Sequence, residues 1–212
     1  MKKTITKTAL ITLGVSLVLA IAVFGIASFC FPYAMMDFTA SIGMETLSGD
    51  YAYQEYRRSG SVECLARSFA VAAEKGNDRA AEERFSVLYG EEGSEARGAF
   101  EAYCESCAVD TSEAGNVEVS MRSYLLGLAS RVKYRLAKNS EEKKAAVCDF
   151  AVGATDKSFP QGNPVVYLAM EAARAQDKDF CVALLEKMRA AGFEENSDYD
   201  KIEKILGGFD HE

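Results

Sequence analysis

The sequence predicts an all-α protein whose first helix spans a membrane, and three observations support this prediction. Residues 9–33 are almost wholly apolar, and no charged residue occurs between Lys7 and Asp37. Beyond residue 49, apolar residues recur at spacings of three and four, which is the period of an amphipathic helix. The chain has no run of alternating β-branched residues and no Asn-Gly or Asp-Gly pair, so we expect no sheet.

The composition is that of one packed domain beyond the apolar segment. Of the 212 residues, 49% are hydrophobic, 26% are charged and three are proline, which excludes collagen-like, proline-rich and largely disordered chains. The single histidine, His211, lies far from the apolar stripes, which excludes an interior histidine base, triad or histidine-ligated metal. From Asp37 onward, 21 basic residues stand against 32 acidic ones, and this net charge of −11 argues against a nucleic-acid partner.

The apolar segment is long enough to be a membrane anchor. A helix over residues 9–33 has a length of roughly 38 Å at about 1.5 Å per residue, and the hydrocarbon layer measures about 30 Å. The alternative is a cleaved signal peptide, whose apolar core has only about 7 to 15 residues. Bulky Phe29 before Cys30 makes a poor cleavage site, and Ala27 is the better site if the body is secreted. We therefore predict that residues 1–36 form a cytoplasmic amino terminus and an uncleaved anchor.

The residues on either side of the segment predict its orientation. Three lysines precede it, whereas no Lys or Arg follows it until Arg57. By the positive-inside rule the amino terminus is cytoplasmic and the body is extracytoplasmic, in a single-pass protein of the cell membrane. The lipid bilayer is therefore a predicted partner, through residues 9–33. Phe29, Phe31 and Tyr33 cluster at the far end, where aromatic rings lie at the level of the headgroups.

Beyond a predicted juxtamembrane linker at residues 37–48, residues 49–212 are predicted to fold as an array of short antiparallel helix hairpins. The clearest helix start is Asn163 followed by Pro164, because proline at the first helical position needs no amide partner. The other predicted N-caps are Ser61, Ser94, Ser140 and Asp179, and the predicted glycine caps are Gly76, Gly90 and Gly192. The predicted helices cover residues 50–58, 61–75, 78–89, 94–107, 117–138, 141–154, 164–176, 180–191 and 198–206, with loops at 108–116 and 155–162.

One stretch of this body resembles a known repeat. Residues 72–80, with the sequence Ala-Ala-Glu-Lys-Gly-Asn-Asp-Arg-Ala, resemble the helix-turn-helix of tetratricopeptide-type repeats, especially the Sel-type variant. Gly-Ser pairs at 60–61 and 93–94 begin helices 33 residues apart, near the period of roughly 34 for this class. The match covers residues 61–93. The resemblance implies an α-solenoid whose concave face binds protein partners, in a family where catalysis is rare.

Cys104 and Cys107 have the spacing of a redox pair, so a membrane-tethered thiol redox protein is an alternative function. Redox pairs of this kind begin a helix after a strand, where the helix dipole lowers the thiol pKa. This pair ends a predicted helix among Glu101, Glu105 and Asp110, which should raise the thiol pKa. We therefore expect a structural disulfide through one of these thiols, and no metal site because no second close cysteine pair completes one. The other cysteines of the body are expected to be buried.

The predicted helix at residues 117–138 carries a run of cations and is a candidate binding face. Its basic residues include Arg122, Arg131, Lys133 and Arg135. One hypothesis is that they contact anionic lipid or an acidic partner. We favour the other, that they pair with acids on neighbouring segments such as residues 141–142, because the apolar stripe makes an ordinary core face. That stripe consists of Met121, Leu125, Leu128, Val132 and Leu136.

Three tyrosines, Tyr51, Tyr53 and Tyr56, lie close together at the beginning of the body. Their rings are candidates for lining a peptide groove, although we favour a role in covering the first hairpin. The sequence thus predicts a membrane-anchored helical scaffold or interaction module that binds a protein partner at the outer membrane surface by shape and charge. We expect no enzyme activity and no cofactor.

Overall fold

The computed structural model describes residues 2–107, 120–155 and 163–209, with side chains from residue 11 onward. This part of the chain contains eleven α-helices and no strand, which confirms the all-α prediction. The helices are α1 (Lys2–Cys30), α2 (Pro32–Ser41), α3 (Glu45–Ser59), α4 (Val62–Glu74), α5 (Asp78–Tyr89), α6 (Glu95–Ser106), α7 (Met121–Ala137), α8 (Glu141–Gly153), α9 (Pro164–Arg174), α10 (Lys178–Ala190) and α11 (Ser197–Gly208). The predicted loop 108–116, most of the loop 155–162, and His211 lie outside the described residues.

Helix α1 is apolar and long enough to cross a membrane. Its stretch Ile11–Cys30 has a mean hydropathy of 2.5, and none of it is buried in the fold. Twenty helical residues extend about 30 Å, which matches the thickness of the hydrocarbon layer. Leu13, for example, is 72% exposed. Exposing so many apolar side chains to water is unfavourable in free energy, so this surface requires an apolar environment outside the fold.

The predicted linker at residues 37–48 contains the end of α2 and the beginning of α3. The helical path breaks at Phe31, with φ −132° and ψ 57°, and resumes at Pro32 in the first turn of α2. The few apolar residues of this segment predicted little burial, yet Thr39 and Ser48 are both buried. The Ser48 hydroxyl donates to the carbonyl oxygen of Met36 at 2.9 Å and so ties α3 to α2. This segment is therefore part of the packed body.

Most predicted helix caps are found in the structure. The side chains of Ser61, Ser94 and Ser140 each accept a hydrogen bond from the amide three residues later. Asn163 precedes Pro164 at the start of α9, as expected. The prediction for Asp179 is wrong, because Asp177 caps α10 by accepting from the amide of Phe180 at 3.3 Å. Asp179 lies in the first turn of that helix, where its negative charge interacts favourably with the positive end of the helix dipole.

The glycine caps follow two conformations. Gly76 and Gly192 have φ of 74° and 75°, as a left-handed cap requires. After Gly192, the Phe193 amide donates to the carbonyl of Met188 at 3.0 Å, and the Phe193 ring is buried against the core. Gly90 has a φ of 57° but a ψ of −174°, so it ends α5 without the expected left-handed helical turn.

Helix α7 lies at the centre of the body. It begins at Met121 and contacts α4, α5, α6, α8 and α9. Its buried residues lie on most sides of the helix, which is the pattern of a core helix rather than of a helix with one buried stripe. Leu136, predicted to be in the core, is 45% exposed, and Leu126 and Tyr134 are buried instead. The apolar residues of α4 to α7 form one core, and those from the end of α7 to α11 form a second.

Candidate interaction surface

The predicted cations of α7 are paired with carboxylates inside the fold. Arg131 Nε donates to Glu171 Oε2 at 3.0 Å, across the contact between α7 and α9. Arg135 Nε donates to Asp78 Oδ1 at 2.8 Å, and its Nη1 lies 3.3 Å from Glu171 Oε1. Arg122 and Lys133 pair in the same way, with Glu101 and Glu82 respectively, each at 3.1 Å. The partners are therefore acids of α5, α6 and α9, not residues 141–142.

Glu171 is the acid shared by two of these arginines. Its side chain is only 13% exposed. Burial alone would raise its pKa, but the hydrogen bond from Arg131 and the charge of Arg135 hold the pKa of Glu171 below its ordinary value. The carboxylate is therefore charged at neutral pH and attracts both guanidinium groups, and Asp78 supplies a second negative charge to Arg135. These cations form ion pairs within the fold, as the interpretation we favoured requires.

The three predicted tyrosines also pack within the fold. Tyr51 is 7% exposed, and its hydroxyl makes a 2.5 Å hydrogen bond with the Ser28 hydroxyl of α1. Tyr53 and Tyr56 stack with ring centroids 6.1 Å apart, and both are half-buried. These positions agree with the covering role that we favoured, and Tyr51 in particular joins the body to α1.

Sequence reasoning missed a buried arginine beneath these tyrosines. Arg84, 9% exposed, donates to Asp50 Oδ1 at 2.9 Å and to the carbonyl of Ser68 at 3.1 Å. Its guanidinium carbon lies 4.8 Å from the centre of the Tyr53 ring. Arg84 thus connects α5 to α3 and α4. Its partners are 16 and 34 residues away in the chain, and helical periodicity gives no signal for contacts at that separation.

The structure shows the environments of the six cysteines, including the predicted pair Cys104 and Cys107. All six are free, so the expected structural disulfide is not formed. Cys104 is buried, and that burial, together with the charges of Glu101 and Cys107, raises its pKa to about 12. A thiol with so high a pKa is almost wholly protonated at neutral pH and is a poor nucleophile. Cys64, Cys148 and Cys181 are buried, as predicted.

A groove with a volume of about 310 Å³ lies between α5, α7 and α8. We call it the α5–α8 groove. Leu136, Val147 and Phe150 form its apolar part, and the Lys133 ammonium lies 5.1 Å from the centre of the Phe150 ring. Lys143 and Glu82 add polar groups. Sequence reasoning missed this groove because it assigned Leu136 to the core.

Only one oxygen of the Glu82 carboxylate accepts a hydrogen bond within the described residues. Its Oε1 accepts from Lys133 Nζ at 3.1 Å. Its Oε2 is buried and has no hydrogen-bond partner in the described part of the chain. A buried acceptor without a partner carries a desolvation cost in the folded chain.

Comparison with known proteins identifies no relative of this chain. No family model, curated protein or solved structure matches this chain. The resemblance to tetratricopeptide-type repeats therefore remains a prediction from the residues. We infer function from two features of the described residues, the uncovered apolar surface of α1 and the α5–α8 groove.

Proposed function

We propose that this chain is a single-pass membrane protein whose helical body binds a protein partner in the α5–α8 groove. The observation that carries the proposal is the groove itself, where the exposed apolar side chain of Leu136 lines a surface together with Phe150 and the charged residues Glu82 and Lys143. The rest of the described body does not cover Leu136, which is 45% exposed. A partner that covers the groove would bury this apolar surface and meet charged groups beside it.

The chemistry of the groove defines the partner segment. A volume of about 310 Å³ is at the small end of the range for ligand sites, and it accommodates one or two side chains of a docked peptide. Leu136 and Phe150 favour an apolar side chain, and Glu82 favours a hydrogen-bond donor next to it. The ammonium of Lys143, on the rim, favours an acidic residue that flanks the apolar one.

The membrane location is part of the same proposal. It is supported by the uncovered apolar stretch Ile11–Cys30 and by the three lysines that precede it. In this arrangement the amino terminus is cytoplasmic and the body lies at the outer surface of the membrane. An anchored body meets its partners within a thin layer, so a modest groove is sufficient for binding because the local concentration is high.

We also propose that the body is a solenoid of the tetratricopeptide type. Contacts between alternate helices support this, because α5 contacts α7, α7 contacts α9, and α9 contacts α11. The turn at Gly76 lies between α4 and α5, where the resemblance placed it. Stacked hairpins of this kind bury a continuous core and leave grooves between successive helices.

The groove is tested by photo-crosslinking of the full chain in its native membrane. A photoreactive amino acid at exposed Lys143, on the rim, is expected to give a discrete crosslinked species. Leu136→Glu should abolish that species. The new carboxylate repels the carboxylate of Glu82, and the apolar contact between Leu136 and the partner is lost. The matched control is Met170→Glu on α9, where the side chain is 43% exposed and outside the groove. Equal crosslinking in both variants would show that the partner does not use the groove.

The membrane location is tested by alkaline extraction and by protease added to intact cells. An anchored chain resists extraction, and its body is cleaved from outside. A chain released by alkali, or a body protected from the protease, would contradict the proposal. Sequencing the amino terminus of the mature protein tests the secreted alternative, which requires a new terminus near Ala27. No specific observation favours the thiol redox alternative, since Cys104 is buried and its pKa is raised.

A further inference from the structure

A cleft of about 580 Å³ lies where α1 meets the body. It is lined by Phe29, Cys30, Pro32, Gln54, Arg57 and Arg58, and we call it the juxtamembrane cleft. Its walls come from the end of α1, the start of α2 and the last turns of α3. Two guanidinium groups from one turn of α3 therefore face the end of the apolar helix.

Arg58 is held at this end by the break in the helical path. The chain leaves the helical conformation at Phe31, so the carbonyl of Cys30 lacks the usual amide partner four residues later. Arg58 Nη1 donates to that carbonyl at 2.8 Å. A guanidinium has five N–H donors in a fixed fork, and this bond uses one of them. The remaining donors are available to an oxyanion.

The charge of the two arginines is not neutralised by neighbouring acids. Both side chains are exposed, and neither forms an ion pair with a carboxylate of the described residues. Asp37 pairs with Arg67 at 3.2 Å and Glu45 pairs with Lys75, whereas Glu55, one turn before Arg58 on α3, forms no ion pair within the described residues. Arg57 and Arg58 together with Glu55 still leave one net positive charge here, in a body of net charge −11.

The depth of the site in a membrane follows from the length of α1. The stretch Ile11–Cys30 extends about 30 Å and fills the hydrocarbon layer, so Cys30 lies at its edge and the lipid phosphates lie just beyond. Phe29 and Phe31, 78% and 63% exposed, project at the same level, where aromatic rings are favoured. Arg57 and Arg58 are therefore at the depth of the lipid phosphates.

We infer that the juxtamembrane cleft binds the headgroup of an anionic phospholipid in the leaflet around the far end of α1. Arg57 and Arg58 contact the phosphate, and the rings of Phe29 and Phe31 contact the upper acyl chains. This inference rests on the proposed membrane location. An acidic body is repelled by an anionic leaflet, so a bound headgroup here fixes the body against the surface at one defined point.

The test uses a fluorescent reporter in the full chain reconstituted in vesicles. The sequence contains no tryptophan, so Gln54→Trp places a single reporter in the cleft. Energy transfer is measured to dansyl-labelled phosphatidylglycerol and, separately, to dansyl-labelled phosphatidylcholine in otherwise equal vesicles. We expect preferential transfer to phosphatidylglycerol. Tyr33→Trp, at an exposed ring beside the cleft, is a second reporter in case the indole of the first fills it.

The variant Arg57→Gln with Arg58→Gln should lower the preference by about fivefold for each arginine. The matched control, Arg79→Gln with Lys204→Gln, removes two exposed cations far from the cleft and should leave the preference unchanged. An unchanged preference without Arg57 and Arg58, or an equal loss in the control, would overturn the inference.

Alkaline extraction of the same vesicles separates this inference from the proposed membrane location. A chain that resists extraction but shows equal transfer to both lipids overturns the headgroup site and leaves the anchor standing. A chain that is released by alkali overturns both. Retention together with a preference that depends on Arg57 and Arg58 supports both.

Discussion

Two pairs of arginines in this protein have opposite environments. Arg131 and Arg135 of α7 are about one-fifth exposed and share the carboxylate of Glu171. Arg57 and Arg58 of α3 are exposed and have no described acidic partner. In the sequence both pairs are simply cations on a helix. The comparison teaches that the partner, which only the fold supplies, decides whether a cation stabilises the body or remains available to a ligand.

The largest expected effect is the loss of Glu171. Glu171→Ala leaves Arg131 and Arg135 partly buried without their shared anion, and we expect it to lower the free energy of unfolding by about 3 kcal/mol. Chemical denaturation of the detergent-solubilised chain measures this change. Glu203→Ala is the matched control, because Glu203 is exposed on α11 and forms no ion pair within the described residues.

The same acid should make stability depend on pH. The folded pKa of Glu171 lies below its unfolded value of about 4.3, so its stabilisation is complete above that value and is lost as the pH falls through the folded pKa. Glu171→Gln should therefore lose more stability at neutral pH than in acid. A difference from the parent chain that stays constant from neutral pH into the acid range would contradict this account of the α7 cations.

The sequence predicted local structure better than it predicted these environments. Serine N-caps and the Asn163-Pro164 start were correct because a cap depends on residues within one turn. Leu136 was misplaced because a single apolar stripe was assumed, whereas α7 is surrounded by other helices. Contacts such as Arg131 with Glu171 join residues 40 apart, and no periodicity within a helix encodes them.

The candidate surfaces were predicted less well for the same reason. The cations and tyrosines singled out from the sequence are largely internal contacts, and the α5–α8 groove depends on three helices that approach one another. The juxtamembrane cleft likewise requires the chain to fold back 28 residues, from Arg58 to Cys30. Composition does indicate which residue types are free to form such sites, but not where they meet.

The contact between α7 and α9 gives a second, smaller test of the paired arginines. A Cβ atom at Gly127 would lie 2.4 Å from Tyr167 Cδ2, so the two helices approach closely only because glycine is there. Gly127→Ala should cost about 1–3 kcal/mol by overpacking and should also separate Arg131 from Glu171. The unfolding free energy measures the cost, and Glu171→Ala should then cost less in this variant than in the parent chain.

Gly98→Ala is the control for the helical preference of alanine. Gly98 is exposed in α6, and an added Cβ would meet nothing within 4 Å. Alanine there should stabilise the chain by about 0.5–1 kcal/mol, because glycine is the poorer helix former. If the two glycine substitutions changed stability in the same direction, the close contact between α7 and α9 would not constrain position 127.

A small effect is also expected where α1 meets the body. Tyr51→Phe removes the 2.5 Å hydrogen bond to Ser28 and leaves the ring in place, so we expect a loss of about 1 kcal/mol. Tyr33→Phe removes an exposed hydroxyl near the same end of α1 and is the control. Protease cleavage near Ser41 in vesicles should become faster for Tyr51→Phe alone, because α3 then holds α1 less firmly. Unchanged cleavage would mean that the Arg58 contact with Cys30 suffices to hold the body against α1, and that the exposed arginines already serve the structure at this joint.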